Sequence, residues 1–241
     1  HVVEPANVEG VAQLGLGFGA QAADRQFADL VGRRLARPDA VPLDLGRPDV
    51  IAALDSNLAD LEIGLLVYNA ALSVIGPFFD HPLEKHVAEL DINCRGQLAL
   101  LGHLTPPMIE RGRGGIILMS SMAGFQGTPI VAHYAATKAY GRVLAEGLWD
   151  ELRASGVDVL ACAAGATRTP AFQRTRPASG NAPVMDPEPV AREALAALGK
   201  KPTMIPGRLN RLAGAFMTRV LPRATAVRIM GSSTRAMYPN D

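Results

Sequence analysis

Residues 114–138 read GGIILMSSMAGFQGTPIVAHYAATK, and the fold is decided here. Residues 116–119 (IILM) are read as a strand that is apolar on both faces. From residue 135 to 155 the apolar spacing becomes helical, and Gly156 stands where a left-handed helix cap is wanted. Residues 157–162 are apolar again and predict the next strand. The same alternation extends toward the amino terminus. Residues 41–45 (VPLDL) are read as a strand, 48–61 as a helix and 63–67 (IGLLV) as a strand, with a long helix inside 81–111 that closes near Pro106 to Gly112. Toward the carboxyl terminus, residues 170–186 read as a proline-rich loop, and 187–198, 209–220 and 223–237 as helices. Strands without a polar face, separated by helices, indicate a parallel sheet covered on both sides. Its strand carboxyl ends then share one edge, where ligands bind.

Bulk properties narrow the function classes. The 241 residues suit one α/β domain, and a net charge of +1 offers no overall attraction for nucleic acid. Between Lys201 and Asp241 every charged residue except the last is Lys or Arg. That tail is either a solvated basic surface or a weak phosphate or membrane contact. The two cysteines, Cys94 and Cys162, form no CxxC pair, so neither a disulfide framework nor a metal site is expected, and a reducing cytoplasm is the expected setting. No apolar run reaches the ~18 residues of a membrane span. Residues 212–230 come closest but contain Arg219, Arg223 and Arg228. No signal-peptide pattern opens the chain.

Tyr134 follows Ser121 by thirteen residues, and Lys138 follows Tyr134 by four. Positions four apart share a helix face, so phenol and ammonium can point into one cleft. A serine at a strand's carboxyl end can reach the same cleft. Reducing a ketone requires a hydride from a nicotinamide and a proton for the nascent alkoxide. A free tyrosine, with pKa near 10, exchanges protons poorly at neutral pH. A nearby ammonium and an oxidised nicotinamide both favour the phenolate and lower that value. A serine hydroxyl can polarise the carbonyl and steady the charge developing on its oxygen. Ser120 competes with Ser121 for this role, and alternation along the strand sends the two to opposite sides. His133 is read as cleft lining or surface, Cys162 as core and Cys94 as buried.

Ser121, Tyr134 and Lys138 at these intervals resemble the active-site set of the short-chain dehydrogenase/reductase family. Further matches follow in that family's order, over residues 40–200. Tyr68-Asn69-Ala70-Ala71 resembles the family's N-N-A-G, with Tyr for the first Asn and Ala for the Gly. Asn93 resembles the helix asparagine whose backbone supports a water-mediated proton relay. Asp44 resembles the aspartate that contacts adenine. Residues 164–169 (AGATRT) resemble P-G-x-V-x-T, which closes over the nicotinamide. The resemblance implies a Rossmann-type doubly wound parallel sheet, in one NAD(P)-binding domain over residues 1–241. It implies catalytic roles for Ser121, Tyr134, Lys138 and Asn93. Asp44, Asn69, Ala70, Thr167 and Thr169 would line an NAD or NADP cofactor together with Tyr134 and Lys138. The expected function is an NAD(P)-dependent interconversion of a carbonyl and an alcohol. The substrate side would be built from residues 170–241, where Phe172, Met204, Phe216 and Met217 point to a lipophilic compound. The helices at 135–152 and around Asn93 carry apolar positions beyond one core face, which implies a homodimer or homotetramer.

The amino-terminal part departs from the family pattern. Gly10, Gly15, Gly17 and Gly19 stand where a phosphate-binding turn would be sought, but their spacing is one residue too long and no strand precedes them. Only residues 18–43 separate Gly17 from Asp44, against ~40 needed for a helix, a strand, a second helix and their loops. Residues 1–38 are therefore atypical or incomplete: absent in part, truly shortened, or foreign to the fold. NAD and NADP are not distinguishable here, because the residues that choose between them follow the second strand. The altered turn also motivates a rival reading, a dinucleotide-binding sensor without turnover.

Overall fold

The computed structural model describes residues 43–58, 61–175 and 184–239. Gly10, Gly15, Gly17, Gly19, the helix expected over 20–35 and the loop segment 176–183 lie outside the described residues. Four parallel strands, β1 (Leu65–Tyr68), β2 (Gly114–Ser121), β3 (Val157–Ala164) and β4 (Thr203–Met204), lie side by side in chain order. Successive side chains on a strand face opposite ways, which explains why the runs are apolar throughout. Ile116 and Leu118 of β2, with Val157, Val159 and Ala161 of β3, enter one core. Ile117, Leu160 and Cys162 enter the other.

Helices cover both faces. The first core is closed by α1 (Val50–Leu58), α3 (Gln97–Glu110) and α4 (Ala132–Glu151), through Val50, Leu54, Leu100, Leu104, Met108 and Ala145. The second is closed by α6 (Pro187–Ala197), through Val190, Ala194 and Ala197. Truncating a fully buried strand residue such as Leu118 or Leu160 to Ala would cost about 2–5 kcal/mol. The remaining helices are α2 (Leu83–Leu90), the short α5 (Pro170–Arg174), α7 (Arg208–Arg219) and α8 (Arg223–Met237). Gly156 takes the expected left-handed conformation, φ 70°, after α4.

Three expectations are corrected. Within the segment read as VPLDL, Leu43 to Leu45 form no strand. The Asp44 carboxylate accepts from the Gly46 N–H at 2.9 Å and its carbonyl from the Arg47 N–H, so Asp44 shapes a turn instead. The long helix inside 81–111 is interrupted by a π-helical turn, Asp91–Gly96, between α2 and α3. Finally, Met204 belongs to β4 and packs in the second core beside Cys162, with sulfur atoms 3.6 Å apart, so it is not on a substrate wall. A two-residue strand leaves no periodic pattern to detect.

Candidate active site

The carboxyl end of β2 separates its two serines. Ser120 is buried and its hydroxyl donates to the Lys138 carbonyl at 2.7 Å, fastening strand to helix. Ser121, half-buried, lies close enough to the Tyr134 phenol for its hydroxyl to act on it, and its Oγ accepts from the Ala123 N–H at 3.2 Å. Gly124 allows the loop after β2 to press on α4. A Cβ there would lie 2.8 Å from the Ala139 nitrogen and 2.9 Å from the Lys138 carbonyl carbon. This contact sets Tyr134 and Lys138 against the strand end.

Lys138 is buried, its Nζ 5.7 Å from the centre of the Tyr134 ring and donating to the Met119 carbonyl at 2.8 Å. Burial pushes the Lys138 ammonium down to about 8 and the Tyr134 phenol up to about 12. The expectation that the ammonium lowers the phenol's pKa therefore does not hold for the chain's own groups. Desolvation dominates at Tyr134; the Ser121 hydroxyl opposes it, and nearby Tyr238 and Glu89 add to it.

Asn93 sits inside the π-helical turn. Its amide group donates to the Leu72 carbonyl and to the Thr137 hydroxyl, at 2.8 and 2.9 Å, and its oxygen accepts from the Leu72 N–H at 2.8 Å. Thr137 in turn donates to the Tyr134 carbonyl at 2.9 Å. Asn93 thus joins the segment after β1 to the helix that carries Tyr134 and Lys138. A π-turn is a frequent mark of a functional position. Here it is braced by Tyr68, whose buried phenol donates to the Ile92 carbonyl, and by Arg95, which reaches the Gly46 carbonyl and the Asp91 carboxylate. The tyrosine that replaces the family's first Asn is consequently a support of the turn.

Asp44 and Ala70 border one cleft of about 430 Å³, together with Gly46, Ala71, Leu72 and Ile92. Asn69 is exposed at the end of β1. Thr167 and Thr169 follow β3. The Thr167 hydroxyl donates to the Gly165 carbonyl, and the Thr169 hydroxyl accepts from the Phe172 N–H at 3.1 Å, capping α5. Ser121, Tyr134, Lys138 and Asn93 are thus connected by contacts, Asp44 and Ala70 share the neighbouring cleft, and the two threonines stand at the next strand's end.

Three residues beside Tyr134 escape sequence reasoning. Thr137 carries the link to Asn93. Tyr238, at the end of α8, comes near enough to act on the Tyr134 charge. Glu89, fully buried, accepts from His133 at 2.6 Å, so His133 is tied inward rather than left at the surface. The apolar groove it borders lies on the outer side of α4, with Leu90, Leu98 and Tyr140. Both cysteines are buried and unpaired, as expected.

Comparison with known proteins places this geometry. A 7beta-hydroxysteroid dehydrogenase of Clostridium sardiniense is 34% identical over 173 residues, which cover 71% of this chain and 66% of that protein. The chain spans about two thirds of the length of the curated relatives it matches. A solved 7beta-hydroxysteroid dehydrogenase structure aligns with a TM-score of 0.77 at 25% identity, over 89% of this chain and 85% of the other. A short-chain dehydrogenase from Sphingobium yanoikuyae, solved in complex with NADPH, aligns with a TM-score of 0.66 at 27% identity, over 86% and 85%. The family model described as short chain dehydrogenase matches residues 22–180, a span that includes every residue from the Asp44 turn to the Thr169 cap. On that match the chain belongs to the short-chain dehydrogenase family.

Proposed function

We propose that the protein is an NAD(P)-dependent oxidoreductase that interconverts a ketone or aldehyde and the corresponding alcohol on a lipophilic small molecule. The observation that carries this reading is the approach of Ser121, the Tyr134 phenol and buried Lys138, with the Lys138 Nζ 5.7 Å from the Tyr134 ring centre, at the carboxyl edge of a parallel sheet. The Asp44 cleft suits a flat heterocycle, because Gly46, Ala70 and Ala71 leave room and the Asp44 carboxylate stands at its rim. Asp44, Asn69, Ala70, Thr167 and Thr169 would hold the dinucleotide, with Tyr134 and Lys138 at its nicotinamide end. When bound, that group supplies or takes up a hydride. The chain's own residues do the rest. Ser121 donates a hydrogen bond to the carbonyl oxygen and Tyr134 gives that oxygen its proton. Lys138, one helical turn away, would add a positive charge that favours the phenolate left behind only together with an oxidised nicotinamide. Asn93, through Thr137, fixes the helix turn between the two and supports the relay that returns the proton.

A lipophilic substrate is supported by the steroid activity named for the relatives and by α7. Gly214 of α7 packs toward Ile205 and Met122, the residue after Ser121, while Phe216 of the same helix is exposed. The deciding experiment assays carbonyl reduction with NADH and NADPH in the wild type and in Tyr134→Phe. The variant should keep its circular dichroism and lose turnover; retained turnover would refute the assignment.

We also propose a homodimer or homotetramer built through α4. The groove of about 360 Å³ between α4 and the π-turn region is apolar, and Leu98 and Val143 are more than half exposed. Leu98→Glu together with Val143→Glu should give a monomer in sedimentation; an unchanged mass would exclude this face. A cytoplasmic setting is supported by the two buried thiols. Among the described residues no helix is long and apolar enough to cross a membrane.

A further inference from the structure

Next to Tyr134, beginning at its neighbour His133, stands a cluster that the proposed reaction does not use. Glu89 is fully buried on α2. Its Oε1 accepts from the Val74 N–H at 3.1 Å. Among the described residues the groups within ion-pair distance of its Oε2 are two imidazole nitrogens, Nδ1 of His133 at 2.6 Å and Nδ1 of His86 at 4.0 Å. His86 is itself buried, and among the described residues its Nδ1 has no hydrogen-bond partner. Its other nitrogen faces the Phe78 carbonyl at 3.0 Å. A carbonyl only accepts, so Nε2 carries the hydrogen. In the neutral ring the unpartnered Nδ1 then turns a lone pair toward a carboxylate. Two lone-pair donors facing each other in a buried site repel unless a positive charge lies between them.

We propose that His86 Nδ1, Glu89 Oε2 and His133 Nδ1 form a binding site for a divalent transition-metal ion of the zinc type. The three atoms lie within 4.8 Å of one another. Bonds of ~2.0–2.1 Å in a tetrahedral site set neighbouring donors about 3.3 Å apart. The observed 2.6 and 4.0 Å bracket that spacing, so side-chain shifts below about 1 Å suffice. The outer atoms are already held as they are around a bound metal: the His86 N–H on a main-chain carbonyl, and the second Glu89 oxygen on a main-chain N–H. Ring stacking on Phe78, with centroids 4.2 Å apart, fixes the His86 plane. The ion would take the place of the hydrogen between Glu89 and His133, and the neutral His133 ring would then carry its hydrogen on Nε2. Two imidazoles and one carboxylate suit zinc and exclude magnesium, which demands oxygen ligands. The fourth position is left for water. Because His133 precedes Tyr134, the ion would tie α2 to the helix turn that bears the phenol. His86 and Glu89 are one turn apart on α2, but His133 lies forty-four residues further on, so no local spacing reveals the set.

The test titrates Zn2+ alone into the chelator-treated, full-length protein by calorimetry, with Co2+ absorption as a second readout. The expected result is one equivalent bound with micromolar or tighter affinity, a tetrahedral cobalt spectrum and a raised thermal midpoint. His133→Gln, at the half-buried rim, and His86→Gln should each weaken binding at least tenfold. Should His86→Gln fail to fold, the wild type and His133→Gln decide. Absence of saturable binding, or equal binding by the wild type and His133→Gln, overturns the proposal.

Discussion

The end of β2 with α4, and the carboxy-terminal pair α7 and α8, both bear on Tyr134, but they are built by different rules. In the first, nearly every side chain is committed. Ser120 bonds Lys138, Lys138 bonds Met119, and Gly124 admits the helix backbone at contact distance. In the second, Leu209, Leu212, Phe216 and Val220 form an exposed stripe, and the attachment is made mostly through the other side of the helices. It includes buried Asn210 against Gly165, Arg211 on the Glu193 carboxylate, Gly214 near Ile205, Gly231 near Pro129, the Thr234 hydroxyl on the Pro129 carbonyl and Arg223 on the Phe125 carbonyl. The lesson is one of division. The sheet edge holds the groups proposed to move protons and tolerates little change, whereas the helical cover is free to vary with what it encloses.

The contrast breaks most visibly at the two serines. Ser121→Ala should lower kcat/KM of carbonyl reduction by ~10²–10³-fold, the usual cost of one donor to a developing oxyanion, with an unchanged thermal midpoint. Ser120→Ala should do the reverse, costing about 0.5–1.5 kcal/mol of stability while turnover stays within a few-fold. A pair of chemical denaturation curves and a pair of rate measurements check both; exchanged phenotypes would reassign the catalytic serine.

Gly124→Ala comes next. The added methyl meets main-chain atoms that have no room to move, so a loss of about 1–3 kcal/mol is expected, read as a lower urea midpoint, with turnover falling in step.

The opposed titrations of Lys138 and Tyr134 give a pH test. The phenol, held near 12, stays protonated over the working range, and the ammonium, held near 8, titrates first. Reduction should be level below about pH 8 and fall by up to about tenfold per unit above it, where the positive charge beside the phenol is lost. A level profile to about pH 10 would show that this charge is not used. Stability moves the other way. Burial lowers Lys138 from its usual 10.5, so between about 8 and 10.5 the unfolded chain binds the extra proton, and this group's contribution to stability rises with pH.

The smallest effect is expected on the cover. Phe216→Ser should change stability by no more than about 0.5 kcal/mol, because the side chain is over half exposed, yet raise KM for a lipophilic ketone more than for a small polar one. Equal effects on both substrates would detach α7 from specificity.

The first region was also the more legible one. The runs at 114–121 and 157–164 are apolar without a break because two cores claim alternate residues, and the Ser121, Tyr134 and Lys138 intervals follow from one strand and one helix. What escaped depends on approach in space. The apolar neighbours of Asp44 predict a strand, but its carboxylate closes a local turn on the Gly46 N–H. Met204, apolar and beyond residue 170, points to a lipophilic substrate wall, but it lies in a strand of two residues, too short to leave a period in the sequence. Tyr238 and Glu89 reach Tyr134 from elements distant in sequence, and no pattern announces them.

The π-helical turn at Asp91–Gly96 carries a consequence for how the chain can change. An α-helix advances about 100° per residue, so its two ends keep a fixed angular phase. Here the wider turn resets that phase, letting Glu89 and His86 aim at His133 while Leu100, Leu104 and Met108 still meet the sheet. Removing one residue from the turn would rotate one set away from its target. This stretch should therefore accept substitutions far more readily than any change in length.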